Sequence, residues 1–384
     1  MLENANPPLI DAFIEAGIIS RLVEFLRKRS LQVLASLVLA LFVSAATTDQ
    51  QTQVVVDAGA VPHSIRLLSS NNSEVIRGSV LVLLTIIKRR PEFVIECGIV
   101  EPVLRLARSE ISVDILRLVS LTIMSLVTHQ RSPQIDLIMK MTPALLEFLQ
   151  HADDKIVLYA CMAVSVAIIK ADAIEHATLI CDFGIVPHLV RLIDLENIDI
   201  VASSLAALTT IACTDDHTDA FLEAGALPVI AGLLKHETSE VVFRATQFIS
   251  NVFAGRADQI QKVIDAQILQ PLIEVLSTGD FESRKTSVGA VTNLSFRGTP
   301  AQIITLGQHG VLKPMCDLLA SNDDELVDSL LKGIENILAA VKRQGEAETV
   351  AGSVKDCLSV GNLLTHENEE VKKKALKIIK TYFG

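Results

Sequence analysis

The sequence predicts an all-α protein, an α-solenoid of stacked three-helix units wound into a right-handed superhelix. Three observations carry that prediction. A helix–glycine–helix phrase recurs along the chain: "FIEAGIIS" from Phe13, "QTQVVVDAGAVP" from Gln51, "FVIECGIVEP" from Phe93, "ICDFGIVPHL" from Ile180, "FLEAGALPVI" from Phe221 and "GQHGVLKPMCDLL" from Gly307. Its glycines, Gly17, Gly59, Gly98, Gly184, Gly225 and Gly310, are separated by 42, 39, 86, 41 and 85 residues. A period in that range is the signature of a helical repeat array. Half of the residues are hydrophobic, yet only 4% are aromatic and there is no Trp. The core must therefore be Leu, Ile, Val and Ala, which suit closely packed helices. Finally, 384 residues is long for one compact core, whereas in an array each unit packs only on its neighbours.

Each long gap is about twice a short one, so each hides a unit that has lost its glycine. The hidden phrases are "IMKMTPALLEFL" from Ile138, with Lys140 in the glycine slot, and "VIDAQILQPLIEVL" from Val263, with Gln267 there. Glycine belongs in the slot because it takes the left-handed conformation that ends a helix.

Residues 214–255 illustrate one unit. "DDHTDAFLEAG" offers a first helix ending at Gly225, and "ALPVIAGLLKH" a second with Pro228 in its first turn, where a missing N–H costs little. "TSEVVFRATQFISNVFAG" offers a third, starting at Thr238 and stopping at Ala254-Gly255. The third helix is apolar on more than one face, as a layer packed on both sides requires. The same phrase lays out as 7–48, 49–88, 89–130, 131–173, 174–213, 214–255, 256–298, 299–342 and 343–384. That makes nine units in one continuous domain over 1–384, the outer two acting as caps.

Composition narrows the function. A net charge of −11 argues against wrapping a nucleic-acid backbone. It is compatible with a basic partner, although solubility alone accounts for it. The six cysteines, Cys97, Cys161, Cys181, Cys213, Cys316 and Cys357, have no close spacing and sit in apolar helical text, as reduced buried side chains do. The most apolar run, Val33 to Ala46, is shorter than a membrane span. No HExxH, GxSxG or phosphate loop is present, so no enzyme and no cofactor is expected. His63 and His188 each follow a Pro at a second-helix start, as repeat positions. "TDDHTD" from Thr214 has ligand-type residues but spans a repeat joint without a Cys, which does not read as a metal site.

In order and spacing, the phrases resemble armadillo repeats, and in particular the importin α family. "NPPLIDAFIEAGIISRLVEFL" (6–26), "QTQVVVDAGAVP", "ADQIQKVIDAQILQPLIEVL" (257–276), "GQHGVLKPMCDLL", "GIENIL" (333–338) and "HENEEVKKKALKIIKTYFG" (366–384) carry the resemblance over nearly the whole chain. It implies an adaptor that binds Lys/Arg-rich nuclear localisation signals along the concave face, shuttling between cytoplasm and nucleus. In that family each third helix presents a Trp and, four residues later, an Asn. Positions i and i+4 share a helix face. The ring supports a Lys or Arg, and the amide offers a donor and an acceptor to the peptide backbone.

This sequence departs from the ladder. The early paired slots hold Leu37 and Leu41, Leu81 and Thr85, Leu121 and Ser125, Met162 and Val166, then Ala206 and Thr210. The family's major groove should here be mostly apolar, with Leu34, Leu118 and Tyr159 extending the strip. Later slots hold Gln247 and Asn251, Gly289 and Asn293, Lys332 and Asn336, with Glu335 beside the last. Peptide contact is expected at these later residues, on the helices of the family's minor groove. An Asn near a helix C-terminus also serves neighbouring backbone, which is the plainer role for all three. The chain opens directly on its first repeat, so importin β is not expected to bind through this chain alone. "RKR" (27–29) and "KRR" (88–90) read as solvated joints. The leading reading is an import adaptor with a degraded major groove. The alternative is an armadillo scaffold that binds another protein, or a second copy of itself, through the apolar groove.

Overall fold

The computed structural model describes residues 7–46, 48–129, 135–169, 178–179, 182–212, 214–344 and 358–383. Among them every regular element is helical, and none is long and apolar enough to cross a membrane. The chain forms two compact units, Met1–Phe183 and Gly184–Gly384.

The first unit runs α1 (Pro7–Glu15), α2 (Ile18–Phe25), α3 (Gln32–Ala45), α4 (Asp49–Asp57), α5 (Ala60–Leu67), α6 (Ser73–Ile87), α7 (Pro91–Glu96), α8 (Val100–Ala107), α9 (Val113–Thr128), α10 (Ile135–Leu149) and α11 (Asp154–Ile169). Helices α3, α6, α9 and α11 stack side by side in that order. Helix α6 shows why. It buries Val75, Val80, Val82, Leu83, Ile86 and Ile87, which cover more than one face, so it needs neighbours on both sides. Gly78 brings it close to α3, since a Cβ there would stand 2.5 Å from Ser36 Oγ.

The second unit runs α12 (Val186–Leu192), α13 (Ile198–Ile211), α14 (Asp215–Glu223), α15 (Ala226–Leu233), α16 (Ser239–Phe253), α17 (Ala257–Asp265), α18 (Leu269–Thr278), α19 (Phe281–Arg297), α20 (Pro300–Gln308), α21 (Leu312–Asp317) and α22 (Asp324–Gln344). A 3₁₀ stretch (Leu358–Thr365), α23 (Glu369–Ile378) and a π turn (Ile379–Phe383) close it. Helices α13, α16, α19, α22 and α23 stack in order. Phe221 and Phe248 meet edge to face in the core, ring centres 5.8 Å apart.

The six joint glycines take φ between +68° and +85°. Gln267 does the same at +59°, so that joint survived the loss of its glycine. Lys140 behaves differently. It lies inside α10, which runs unbroken from Ile135 to Leu149 with Pro143 in its interior. The expected joint there is replaced by one fused helix.

Amides tie successive layers together. Gln259 Nε2 donates to Asp215 O at 2.8 Å and Gln302 Nε2 to Ala257 O at 2.8 Å. In each case the donor reaches the first helix one repeat back. The basic joints are also tied. Arg27 Nε donates to His63 Nε2 at 2.9 Å, and Arg89 pairs with Asp49 at 2.9 Å. Cys97 is half-buried, Cys161 and Cys316 are buried, and Cys181, Cys213 and Cys357 lie outside the described residues.

Candidate peptide-binding site

In the first unit Leu81, Leu118, Leu121 and Tyr159, with Ile115, floor an open groove of about 550 Å³. Arg77, Arg117 and Lys155 edge it, with Glu74 and Asp114. Arg77 pairs with Glu74 at 2.7 Å, and Arg117 with Asp153 at 2.5 Å and Asp114 at 3.0 Å. The hydrogen bond from Arg117 holds Asp153 below the usual carboxylate range, against the effect of burial. Leu34 is 64% exposed, and Leu41 and Met162 are exposed as well. Leu37 and Val166 are half-buried. Thr85 spends its hydroxyl on Leu81 O of its own helix, at 2.9 Å.

Ser125 shares a helix face with Leu121 but is covered. It is buried in α9, and its carbonyl receives the C-terminal turn through His129 N at 3.1 Å.

The second unit carries the asparagines. Asn251 Nδ2 donates to Thr209 O at 2.9 Å, Asn293 Nδ2 to Ser250 O at 3.0 Å, and Asn336 Nδ2 to Ser295 Oγ at 3.3 Å. Each acceptor sits on the third helix of the preceding repeat. Asn293 Nδ2 also reaches Ser250 Oγ at 3.3 Å, so one amide N–H is engaged in packing at Asn251 and Asn336 and the Asn293 amide makes two such bonds, which fixes the side chains. The carbonyl oxygen of each amide accepts no hydrogen bond among the described residues.

The surroundings of the three differ. Asn251 lines an open cavity of about 670 Å³ with Thr209, Thr210, Thr214, Thr218 and Asp215. Ala212, Ala254 and Gly255 complete it, and Asp215 is its one carboxylate. Gln247, one turn before Asn251, accepts from Arg244 Nη1 at 3.3 Å. Beside Asn293, Gly289 leaves open space: a Cβ there would come no nearer than 3.8 Å to another atom, Ser250 Oγ.

At Asn336 the acidic residue expected to receive a basic peptide is already engaged. Glu335 pairs with Lys377 at 2.5 Å. Asp328 binds Lys332 at 2.7 Å and also Lys374. Burial opposes ionisation of Asp328, but the hydrogen bonds from Lys332 and Lys374 outweigh it and hold the carboxyl below its ordinary value. Phe296, Pro300, Ile303, Ala339, Ala340 and Arg343 complete a small cavity of about 190 Å³ with Ser295 and Asn336.

Reading slots along single helices did not single out Asp215, Phe296, Arg343, Lys374 or Lys377, which line or border these surfaces. The repeat register contains part of that signal, because Lys377 follows Glu335 by 42 residues. "TDDHTD" is a helix start: Thr214 Oγ1 accepts from His217 N at 3.3 Å, His217 is buried, and Asp219 pairs with Arg256 at 2.6 Å.

The Armadillo/beta-catenin-like repeat family matches residues 48–86 and 256–296. Importin subunit alpha-3 of Arabidopsis thaliana is 30% identical over 397 residues, covering 98% of this chain and 73% of that protein. Importin subunit alpha-1b of Oryza sativa subsp. japonica is 28% identical over 397 residues, covering 100% and 74%. Among solved structures, an engineered protein superposes with a TM-score of 0.82 at 23% identity, covering 100% of this chain and 93% of that one; it speaks to the fold alone. A designed armadillo repeat protein in complex with the peptide (KR)4 has a TM-score of 0.57 at 27% identity, covering 63% of this chain and 99% of its own. Repeat phrases, stacked third helices and full-length kinship agree: this chain belongs to the importin α family of armadillo-repeat proteins.

Proposed function

We propose that the protein is a nuclear-import adaptor, moving between cytoplasm and nucleus, that holds an extended segment of its cargo against Asn251, Asn293 and Asn336. The observation that carries this is the anchoring of each amide by a bond to the preceding helix. Each anchored amide keeps its carbonyl oxygen for a peptide backbone, Asn251 and Asn336 keep one N–H as well, and the cost of ordering them has already been met in folding. The relatives named importin alpha, and the designed neighbour that holds (KR)4, support peptide binding on such a face. We read the chain as nine repeats over 1–384, with no catalytic role.

A basic residue of a localisation signal fits best at Asn251, where Asp215 and four threonines line the cavity. Titration with a labelled (Lys-Arg)4 peptide tests this. Asp215→Asn and Asn251→Ala should each weaken binding severalfold, with the Asp215→Asn loss shrinking as salt is raised. Unchanged affinity in both variants would remove this cavity from the site.

A second reading has its own observation, the groove floored by Leu81, Leu118, Leu121 and Tyr159. On it an apolar segment of a partner, or of a second copy, docks in the first unit.

A further inference from the structure

The face of α22 around Asn336 runs Lys332, Asn336, Ala339, Ala340, Arg343. Spacings of four, three to four and seven residues place these on one side of a helix. The side therefore reads cation, amide, two small residues, cation. The carboxylates nearby lie beneath the lysines. Asp328 and Glu335 are 28% and 27% exposed, while Lys332 and Lys377, which cover them, are 48% and 66% exposed. Two carboxylates face three lysines, since Lys374 also binds Asp328. Arg343 makes no ion pair among the described residues. Beside Arg343 and Asn336, the cavity of about 190 Å³ is walled by Phe296, Pro300, Ile303, Ala339 and Ala340. Phe296 is 59% exposed, so one wall is an aromatic face turned to solvent.

From this we infer that the Asn336 end of the row binds an acidic–hydrophobic extended peptide: a large apolar side chain in the Phe296 cavity, flanked by carboxylates. The peptide backbone bonds to the amide of Asn336. One flanking carboxylate faces Lys332 and the other Arg343. A Lys or Arg side chain gains little here, because it must compete with lysines already paired to both carboxylates and it meets the net positive charge of three lysines over two carboxylates. The inference rests on the reading of the asparagine row as a peptide site. It adds that the row changes charge preference along its length, from Asp215 at one end to Lys332 and Arg343 at the other.

The test uses the full chain and two labelled probes, Gly-Glu-Glu-Phe-Glu-Glu-Gly and its Lys counterpart Gly-Lys-Lys-Phe-Lys-Lys-Gly. The acidic probe should bind at least tenfold tighter to the Asn336 end. Arg343→Gln should weaken it about fivefold and Phe296→Ala by a similar factor. Lys332→Glu combined with Arg343→Glu should weaken it tenfold or more, and Asp215→Asn should leave it within twofold. Arg343 is exposed and makes no ion pair among the described residues, so the Arg343→Gln result does not depend on tolerance of a larger change. Lowering the pH through about 4 should abolish binding as the probe's carboxylates protonate. Equal or tighter binding of the Lys probe, with sensitivity to Asn336→Ala, would overturn the inference while the peptide-site reading stands. Insensitivity of the acidic probe to Arg343→Gln and Phe296→Ala would also overturn it. If neither probe binds, the inference fails, and the response of (Lys-Arg)4 to Asn251→Ala decides the wider reading separately.

Discussion

Gln267 holds a left-handed backbone that its relatives in the repeat assign to glycine. A side chain in that conformation costs about 1–2 kcal/mol, and glycine's extra freedom in the unfolded chain returns part of it. Gln267→Gly should therefore stabilise the protein by roughly 0.5–1 kcal/mol in urea unfolding. Ser79 offers another test at this scale. Its hydroxyl is buried in α6 with no hydrogen-bond partner among the described residues. Ser79→Ala removes an uncompensated polar group and should stabilise by about 1 kcal/mol; a loss of stability would reveal a partner for Oγ. Asp328 carries the pH prediction. Its folded pKa is depressed, so its contribution to stability is present above the ordinary carboxylate pKa and is lost as pH falls through the lower folded value. Nuclear magnetic resonance titration should place its carboxyl below that of an ordinary Asp, and Lys374→Ala should raise it.

At the scale of the element, the same substitution should have opposite signs in two equivalent slots. Lys140 sits within the continuous helix α10, where glycine costs about 1 kcal/mol relative to a good helix former. Lys140→Gly should thus destabilise where Gln267→Gly stabilises. The six glycine joints and Gln267 were legible in the sequence because a left-handed helix end is a local requirement with a local signature. The fused α10 was not. Pro143 there stands where other repeats place a second-helix Pro, and the same residue types fit a first turn or a helix interior. The candidate site was legible to the same partial extent. Slots four residues apart on one helix could be read, which located Asn251, Asn293 and Asn336. The pairs Lys377–Glu335 and Lys374–Asp328 arise between helices one repeat apart, and no single-helix pattern displays them. Ser125 shows a further limit: slot position gives its helix face, shared with Leu121, but not that so short a side chain is covered by its neighbours.

At the scale of the whole molecule, each unit offers a surface of different chemistry, apolar in Met1–Phe183 and polar in Gly184–Gly384. Burying one Leu contributes roughly 1.5–3 kcal/mol, so the exposed Leu34 and Leu41 with the Leu81 groove would drive association if a second copy or a partner covers them. On that reading Leu81→Asp and Leu121→Asp abolish self-association in sedimentation while the thermal midpoint stays nearly unchanged. A large fall in the midpoint, with a monomer at all concentrations beforehand, would mark these leucines as ordinary core. The most direct measurement concerns the asparagine row: the affinity of a labelled cargo-type peptide for the protein and for its Asn251→Ala, Asn293→Ala, Asn336→Ala triple variant. Each lost neutral hydrogen bond is worth about 1 kcal/mol, so the triple variant should bind on the order of 100-fold more weakly, with its helical content unchanged. An affinity within twofold of the parent would contradict a role for these amides in holding the peptide.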